Sequence, residues 1–192
     1  LLIDTYDTEA GARKVVELAP RLQADGIAIR GVRIDSGNLT DMAKKVRAIL
    51  DAGGLEEVII LVSGGINEDV LLKMAAAKAP IDGFGIGVNL DASIDAPSLD
   101  CAYKLQDYAG RPRRKLSEGK QTWPGRKQVW RAYDAHEWMR GDVLSLESDR
   151  HDGEALVVPV MRGGKRVAPV PTLAQIRERA KRDLARLPEP LR

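Results

Sequence analysis

Residues 27–54 read IAIRGVRIDSGNLTDMAKKVRAILDAGG. Ile27–Ile34 is an apolar run of strand length, and Asp35-Ser36-Gly37 breaks it. Met42, Val46, Ile49 and Leu50 then recur at helical spacing until Gly53-Gly54 stops the pattern. This is one β/α unit, and the chain repeats it on both sides. Further apolar runs lie at Leu1–Ile3, Val58–Val62 and Ile81–Ile86, spaced by roughly 25–30 residues as consecutive β/α units are. Thr8 is placed to cap a helix carrying Val15, Val16, Leu18, Ala19 and Leu22. Asn67 is placed to cap another carrying Val70, Leu71 and Met74, with Pro80 beyond its end.

The strand runs are rich in Val and Ile and scarcely alternate with polar residues, as parallel strands covered on both faces do. Four units make half of a parallel α/β barrel. Residues 1–105 are therefore expected to form the C-terminal half of an irregular barrel. Leu1 is not Met and already lies in an apolar run, so the chain is expected to be a fragment whose missing half precedes it.

A different character begins near residue 106. Gly110–Arg131 is basic and turn-rich. Short strands are expected at Val143–Leu146 and Leu156–Val160, with a hairpin turn at Gly163-Gly164. A last helix opens at Thr172, where Gln175 completes a capping-box spacing; its apolar stripe is Leu173, Ile176, Ala180 and Leu184. Residues 106–192 are thus expected to be a smaller β-rich segment with a C-terminal helix, part of an accessory domain.

Composition narrows the possible functions. The chain has 192 residues and no apolar run near the ~20 needed to span a bilayer. Its single cysteine, Cys101, cannot form an internal disulfide; it is expected to be buried or half-buried, in keeping with a cytoplasmic protein. The first hundred residues carry 10 Lys+Arg against 16 Asp+Glu, and the remainder 20 against 12. Such asymmetry fits nucleic acid, two segments packed on each other, or a polyanionic small molecule. Aromatic residues make up only 4% of the chain, too few for a base-stacking platform, and nucleic acid is not expected.

In barrels of this kind chemistry sits at the C-terminal ends of the strands. The first end offers Asp4 and Asp7; Asp4 sits at the tip and is favoured as functional, while Asp7 suits a helix cap. At the second end, alternation puts Arg33 and Asp35 on one face. An arginine there can fork onto a phosphate, and an aspartate can take ribose hydroxyls or a hydrated Mg²⁺. The competing reading is an ion pair between the two. The third and fourth ends, Ser63-Gly64-Gly65 and Gly85-Ile86-Gly87, bring backbone N–H groups close to a ligand and can nest an anion. His136 and His151 lie in no recognisable catalytic or metal-binding arrangement and are read as surface or structural residues. Trp123 and Trp130 are read as packing residues.

Taken in order, LIDTYDT (Leu2–Thr8), GVRIDSGNL (Gly31–Leu39), PIDGFGIGVNL (Pro80–Leu90), the stretch from Asp95 to Arg131 containing KLSEGKQTWPGRKQVWR, and PTLAQIRERAKRDLARLP (Pro171–Pro188) resemble the nicotinate phosphoribosyltransferases. The resemblance implies a type II phosphoribosyltransferase of NAD biosynthesis and salvage. Such an enzyme forms nicotinate mononucleotide and diphosphate from nicotinate and phosphoribosyl diphosphate. ATP is a co-substrate, hydrolysed through a phosphorylated histidine. It further implies Mg²⁺, a homodimer, and no membrane or nucleic-acid partner. By position, Asp4 resembles the acid supporting that histidine. Arg33, Asp35 and Ser36 resemble phosphoribosyl contacts, with Asp35 near ribose hydroxyls or Mg²⁺. Gly64, Gly65, Gly85 and Gly87 fall at the phosphate-binding turns. The histidine and the ring-holding aromatics belong upstream of Leu1, so this chain alone is expected to be inactive. Two positions depart from the family: Gly65 stands where it has Asp, and Val88 where a small hydroxyl residue is usual. A nicotinamide or quinolinate enzyme and a non-catalytic phosphoribosyl-binding chain are the alternatives.

Overall fold

The structure, a computed structural model, describes residues 1–95, 98–99 and 101–189. It is a mixed α/β chain that divides into two compact units. The first comprises Leu1–Tyr108 and Arg113–Trp123; the second comprises Ala109–Pro112 and the described residues from Pro124 onward. A division at residue 105 would assign Arg113–Trp123 to the second unit, whereas here it belongs to the first.

The first unit is built on a parallel sheet of β1 (Gly31–Ile34), β2 (Ile59–Ser63) and β3 (Gly83–Gly85), in that spatial order. Leu1–Ile3 runs alongside β1: the Arg33 N–H donates to the Leu1 carbonyl at 2.7 Å, and the Ile3 N–H to the Arg33 carbonyl at 3.2 Å. Four parallel segments therefore lie side by side in chain order. Helices α1 (Thr8–Ala24), α2 (Leu39–Ala52) and α3 (Glu68–Ala76) connect them. Each helix starts at an Asx side chain accepting a backbone N–H: Asp7 from Ala10, Asn38 from Asp41 and Asn67 from Val70. Asp7, not Thr8, is the first cap. Its carboxylate reaches the Ala10 N–H at 2.7 Å and faces the positive end of the helix dipole, while Thr8 is already helical. After β3 come the short helix α4 (Val88–Asp91) and strand β4 (Asp107–Tyr108).

The core lies between the sheet and the three helices. Val32, Ile34, Ile60 and Val62 are fully buried against Ala12, Val15, Ala43, Val46, Leu50 and Met74. Burying a side chain of this size contributes about 1.5–3 kcal/mol. The opposite sheet face is open among the described residues: Leu2, Arg33, Ile59 and Leu61 are all exposed there. The unalternated strands imply cover on both faces, and this chain supplies it on one.

In the second unit, after the two-residue β5 (Arg111–Pro112), an antiparallel sheet has the order β7-β6-β8, with β6 (Lys127–Tyr133), β7 (Met139–Leu146) and β8 (Glu154–Ala155). β9 (Met161–Arg162) and β10 (Lys165–Arg166) form a hairpin across Gly163-Gly164, as expected. The last helix, α5 (Leu173–Ala185), opens on Thr172 with the full Thr172–Gln175 capping box. Several expectations fail here. Leu156–Val160 is not a strand; pairing stops at Ala155, and Val157, Val158 and Val160 are exposed. The basic stretch conceals the start of β6, whose Trp130 is buried and donates its indole N–H to Ser145 Oγ at 3.1 Å. Trp123 and both histidines are exposed, and so is Cys101, contrary to its expected burial. Among the described residues no helix is long and apolar enough to cross a membrane.

Arg131 and Asp142 face each other across β6 and β7 and join through two hydrogen bonds of 2.8 and 2.7 Å. Those bonds hold the Asp142 carboxyl below its ordinary value, against the opposing effect of partial burial. A carboxylate depressed on folding adds stability above its unfolded pKa and loses it as pH falls through the folded one. Arg131→Ala should cost about 0.5 kcal/mol near pH 7, a value discounted for solvent screening. The cost should fade in acid, as pH falls below the ordinary aspartate value of about 3.9. Denaturant midpoints of wild type and variant near pH 7 and in acid provide the check; a cost that persists in acid would show that the charge pair is not its source.

Candidate functional site

The polar residues of the first unit gather where the strands end. Val32 and Ile34 point into the core, so Arg33 and then Asp35 face the other way, at the mouth of the open face. One strand over, Ser63 ends β2 and donates its hydroxyl to Asp35 Oδ1 at 2.6 Å. Asp4, 4% exposed, accepts the Asp35 N–H at 3.0 Å and the Ser36 hydroxyl on the same oxygen, Oδ2. Asp4 thus ties the end of the first segment to the end of β1 and leaves Oδ1 without a hydrogen bond among the described residues.

The remaining partner of Asp35 comes from 85 residues downstream. Lys120 donates its ammonium to both Asp35 Oδ2 and the Asp35 carbonyl. The loop that carries it is pinned at Ser117, which is 1% exposed and donates to the Thr5 carbonyl at 3.3 Å. The loop then turns tightly, with the Lys120 N–H on the Ser117 carbonyl at 3.0 Å and Gly119 at φ +68°. Burial acts to raise the Asp35 pKa, but the Lys120 and Ser63 hydrogen bonds and the charges of Lys120 and Arg33 outweigh it, and the carboxyl lies below its ordinary value. Asp35 is therefore ionised at neutral pH.

Arg33 is exposed, and its guanidinium makes no hydrogen bond or ion pair among the described residues. The ion pair formed by Asp35 is with Lys120 rather than Arg33. The strand end therefore presents one free guanidinium beside one neutralised carboxylate.

Two adjoining cavities share Asp35, Gly64 and Gly65 as walls. One, of about 910 Å³, is also lined by Ser36, Lys104 and Lys120. The other, of about 720 Å³, brings Arg33, Gly85 and Gly87 to the same space. The structure thus assembles Arg33, Asp35, Gly64, Gly65, Gly85 and Gly87 around one cavity and puts Ser36 in its neighbour. Asp4 lies behind them, lining only a small recess with Ser36 and Glu118. Gly64 and Gly65 have φ +97° and +64°. At Gly64 a Cβ would stand 2.7 Å from the Asp35 carbonyl, whereas at Gly65 it would meet nothing within 4 Å. Asn89 Nδ2 donates to the Ile66 carbonyl at 3.1 Å and fastens the two glycine turns together.

Lys120, Ser117 and Ser63 are the residues that the sequence reading missed. Ser63 adjoins the glycine pair and could have been found from its place at the strand end. The loop was read only for charge and turns, and no periodicity connects it to β1.

The donor set does not fit a resident Mg²⁺, which protein carboxylates hold together with substrate phosphates. Asp35 Oδ2 already faces an ammonium and Oδ1 a hydroxyl, and Gly65 adds no second acid. Among the described residues no group of three His, Cys, Asp or Glu side chains could hold a metal ion.

The first unit is thus a parallel α/β unit that carries a free arginine, a fixed carboxylate and paired glycine turns at its strand ends. Residues 149–192 match the family model described as the nicotinate phosphoribosyltransferase C-terminal domain. Over 100% of its length the chain is 45% identical to nicotinate phosphoribosyltransferase pncB2 of Mycobacterium tuberculosis, and it covers 41% of that protein. It is 32% identical to the Bos taurus nicotinate phosphoribosyltransferase over 97% of its length, again covering 41% of the relative. The crystal structure of human nicotinic acid phosphoribosyltransferase aligns with 98% of this chain and 41% of that one, at 28% identity and a TM-score of 0.41. The chain belongs to the nicotinate phosphoribosyltransferase family and corresponds to its C-terminal portion.

Gly64→Ala should destabilise the protein more than Gly65→Ala. Both incur the cost of a positive φ, about 1–2 kcal/mol, but only Gly64→Ala also drives a methyl into the Asp35 carbonyl. Thermal unfolding of the two variants measures the difference; equal losses would remove the steric argument for Gly64.

Proposed function

We propose that this chain supplies the sugar-phosphate side of a nicotinate phosphoribosyltransferase acting in NAD biosynthesis. The observation that carries the reading is the joint placement of Arg33, Asp35 and the two glycine turns on one cavity. The names and full-length alignment of the relatives supply the base, nicotinate. Arg33 is free to fork onto a phosphate. Asp35 is an ionised acceptor for ribose hydroxyls. Gly64, Gly65, Gly85 and Gly87 leave room for a phosphate to approach the backbone. Ser36 adds a hydroxyl, and Asp4 keeps one carboxylate oxygen for a basic partner such as a phosphorylatable histidine.

The chemistry demands such groups. Breaking the bond from ribose to diphosphate develops positive charge on the sugar and negative charge on the leaving group, and preset charges stabilise both. ATP is the expected co-substrate. Mg²⁺ enters this reading with the diphosphate of the substrate.

The sheet with one bare apolar face reads as half of a barrel, completed by residues outside this chain. The relatives are more than twice as long. Those residues would hold the pyridine ring and the histidine. A cytoplasmic homodimer, with the first unit in the barrel and the second in an accessory domain, completes the picture. Gly65 favours a second reading, a chain that binds phosphoribosyl compounds without catalysis, because an acid expected beside the ribose is absent.

In the full-length protein, Arg33→Ala and Asp35→Ala should each lower kcat/KM for phosphoribosyl diphosphate by about 2–4 kcal/mol of transition-state stabilisation. Unchanged kinetics in both variants would refute the assignment. Wild-type turnover with nicotinate in the ordinary range of ~1–10³ s⁻¹ would eliminate the non-catalytic reading, and turnover with nicotinamide but not nicotinate would overturn the choice of base.

The 192-residue chain alone should be inactive and should aggregate through its bare strand edge and apolar face. Light scattering and an activity assay on the isolated chain test this; a monomer that unfolds cooperatively would contradict it.

A further inference from the structure

The cation that faces Asp35 in this structure belongs to the protein itself. Lys120 reaches the carboxylate and the carbonyl of the same residue, so it fixes both the side-chain rotamer and the backbone at the end of β1. Ser63 holds the other carboxylate oxygen at 2.6 Å, and the Asp35 N–H is bound by buried Asp4. Every polar group of Asp35 is therefore anchored. The anchors come from the first segment, β2 and the loop after residue 113. The loop is not a loose tether, because Ser117 is 1% exposed beneath it.

The arrangement sorts ligands by charge. A divalent cation on Oδ2 would have to share that oxygen with an ammonium, and like charges repel at such separations. A hydroxyl donor meets no such conflict, since each carboxylate oxygen accepts two hydrogen bonds and Ser63 and Lys120 use one on each. The missing acid at position 65 points the same way. A second carboxylate would offset the ammonium for a metal ion, and Gly65 provides none although the space beside it is open.

We propose that Lys120 is the positioning residue of Asp35. It fills the cation place at that carboxylate, so that Asp35 receives sugar hydroxyls and is not a metal ligand. This assignment rests on the phosphoribosyl reading above. Lys120 acts through Asp35, and its loss should matter only while Asp35 can do its work.

The test uses the full-length protein with Lys120→Ala, Lys120→Arg, Asp35→Asn and the double variant Lys120→Ala/Asp35→Asn. Lys120→Ala should lower kcat/KM for phosphoribosyl diphosphate on the order of 10- to 100-fold, the usual effect of removing an orienting partner. Lys120→Arg should restore most of it. The double variant should be no worse than Asp35→Asn alone, an interaction that a purely structural lysine would not show. Mn²⁺ alone, followed by water-proton relaxation, should not bind the substrate-free wild-type protein at Asp35.

If Asp35→Asn is impaired while Lys120→Ala is harmless, or if the two losses simply multiply, the assignment falls and the phosphoribosyl reading stands. Mn²⁺ bound to wild type without substrate and lost in Asp35→Asn would make Asp35 a metal ligand and also overturn the assignment. An Asp35→Asn protein with unimpaired turnover would remove the phosphoribosyl reading, and this assignment with it.

Discussion

Asp35 is where three distant parts of the first unit meet. Its N–H is held by Asp4, its carboxylate by Ser63 and Lys120, and its carbonyl by Lys120 again. The carbonyl also dictates the residue across from it: Gly64 must lack a side chain because a Cβ would come within 2.7 Å of that oxygen. A charged group half out of water could not be held in place by packing alone. Here its position is set by hydrogen bonds from elements that are themselves buried, notably Asp4 at 4% and Ser117 at 1% exposure. Preorganisation of this kind fixes the carboxylate before any ligand arrives.

The fold of the first unit was legible because its signals are local. The apolar runs fell on the strands, Gly53-Gly54 ended α2, and Asn67 capped α3. Alternation placed Arg33 and Asp35 on one face because a strand has a period of two. Errors arose where a distant neighbour decides. The exposed run after Ala155 resembles a strand in composition, but on that side the ladder with β6 covers only Glu154 and Ala155. β6 begins at Lys127, within a stretch whose charges and glycines mask its alternation. Asp7 and Thr8 both suited the cap of α1, and geometry chose Asp7.

The candidate site divides along the same line. All eight residues singled out in the sequence lie at the strand ends, since the β/α period fixes where those ends fall. What spacing could not reveal was the partner of Asp35. An aspartate beside an arginine invites the inference of a pair, yet Asp35 pairs with a lysine 85 residues away. That correction changes the chemistry. An Arg33–Asp35 pair would have satisfied itself, whereas a Lys120–Asp35 pair leaves the guanidinium of Arg33 without a partner among the described residues.

The uneven charge along the chain gains a physical meaning from this arrangement. The acidic first hundred residues and the basic remainder suit two segments that pack together or a site for a polyanion, and at Asp35 the first applies. One lysine of the basic part is spent on an acid of the first, and Ser63 takes the other oxygen of that acid. Arg33 stays free, and Lys104 lines the larger cavity beside Lys120. Gly65 bears on the balance as well. The space beside it is open, and no acid stands there to compete with Asp35 for a cation. With glycine at that position, a single ammonium suffices.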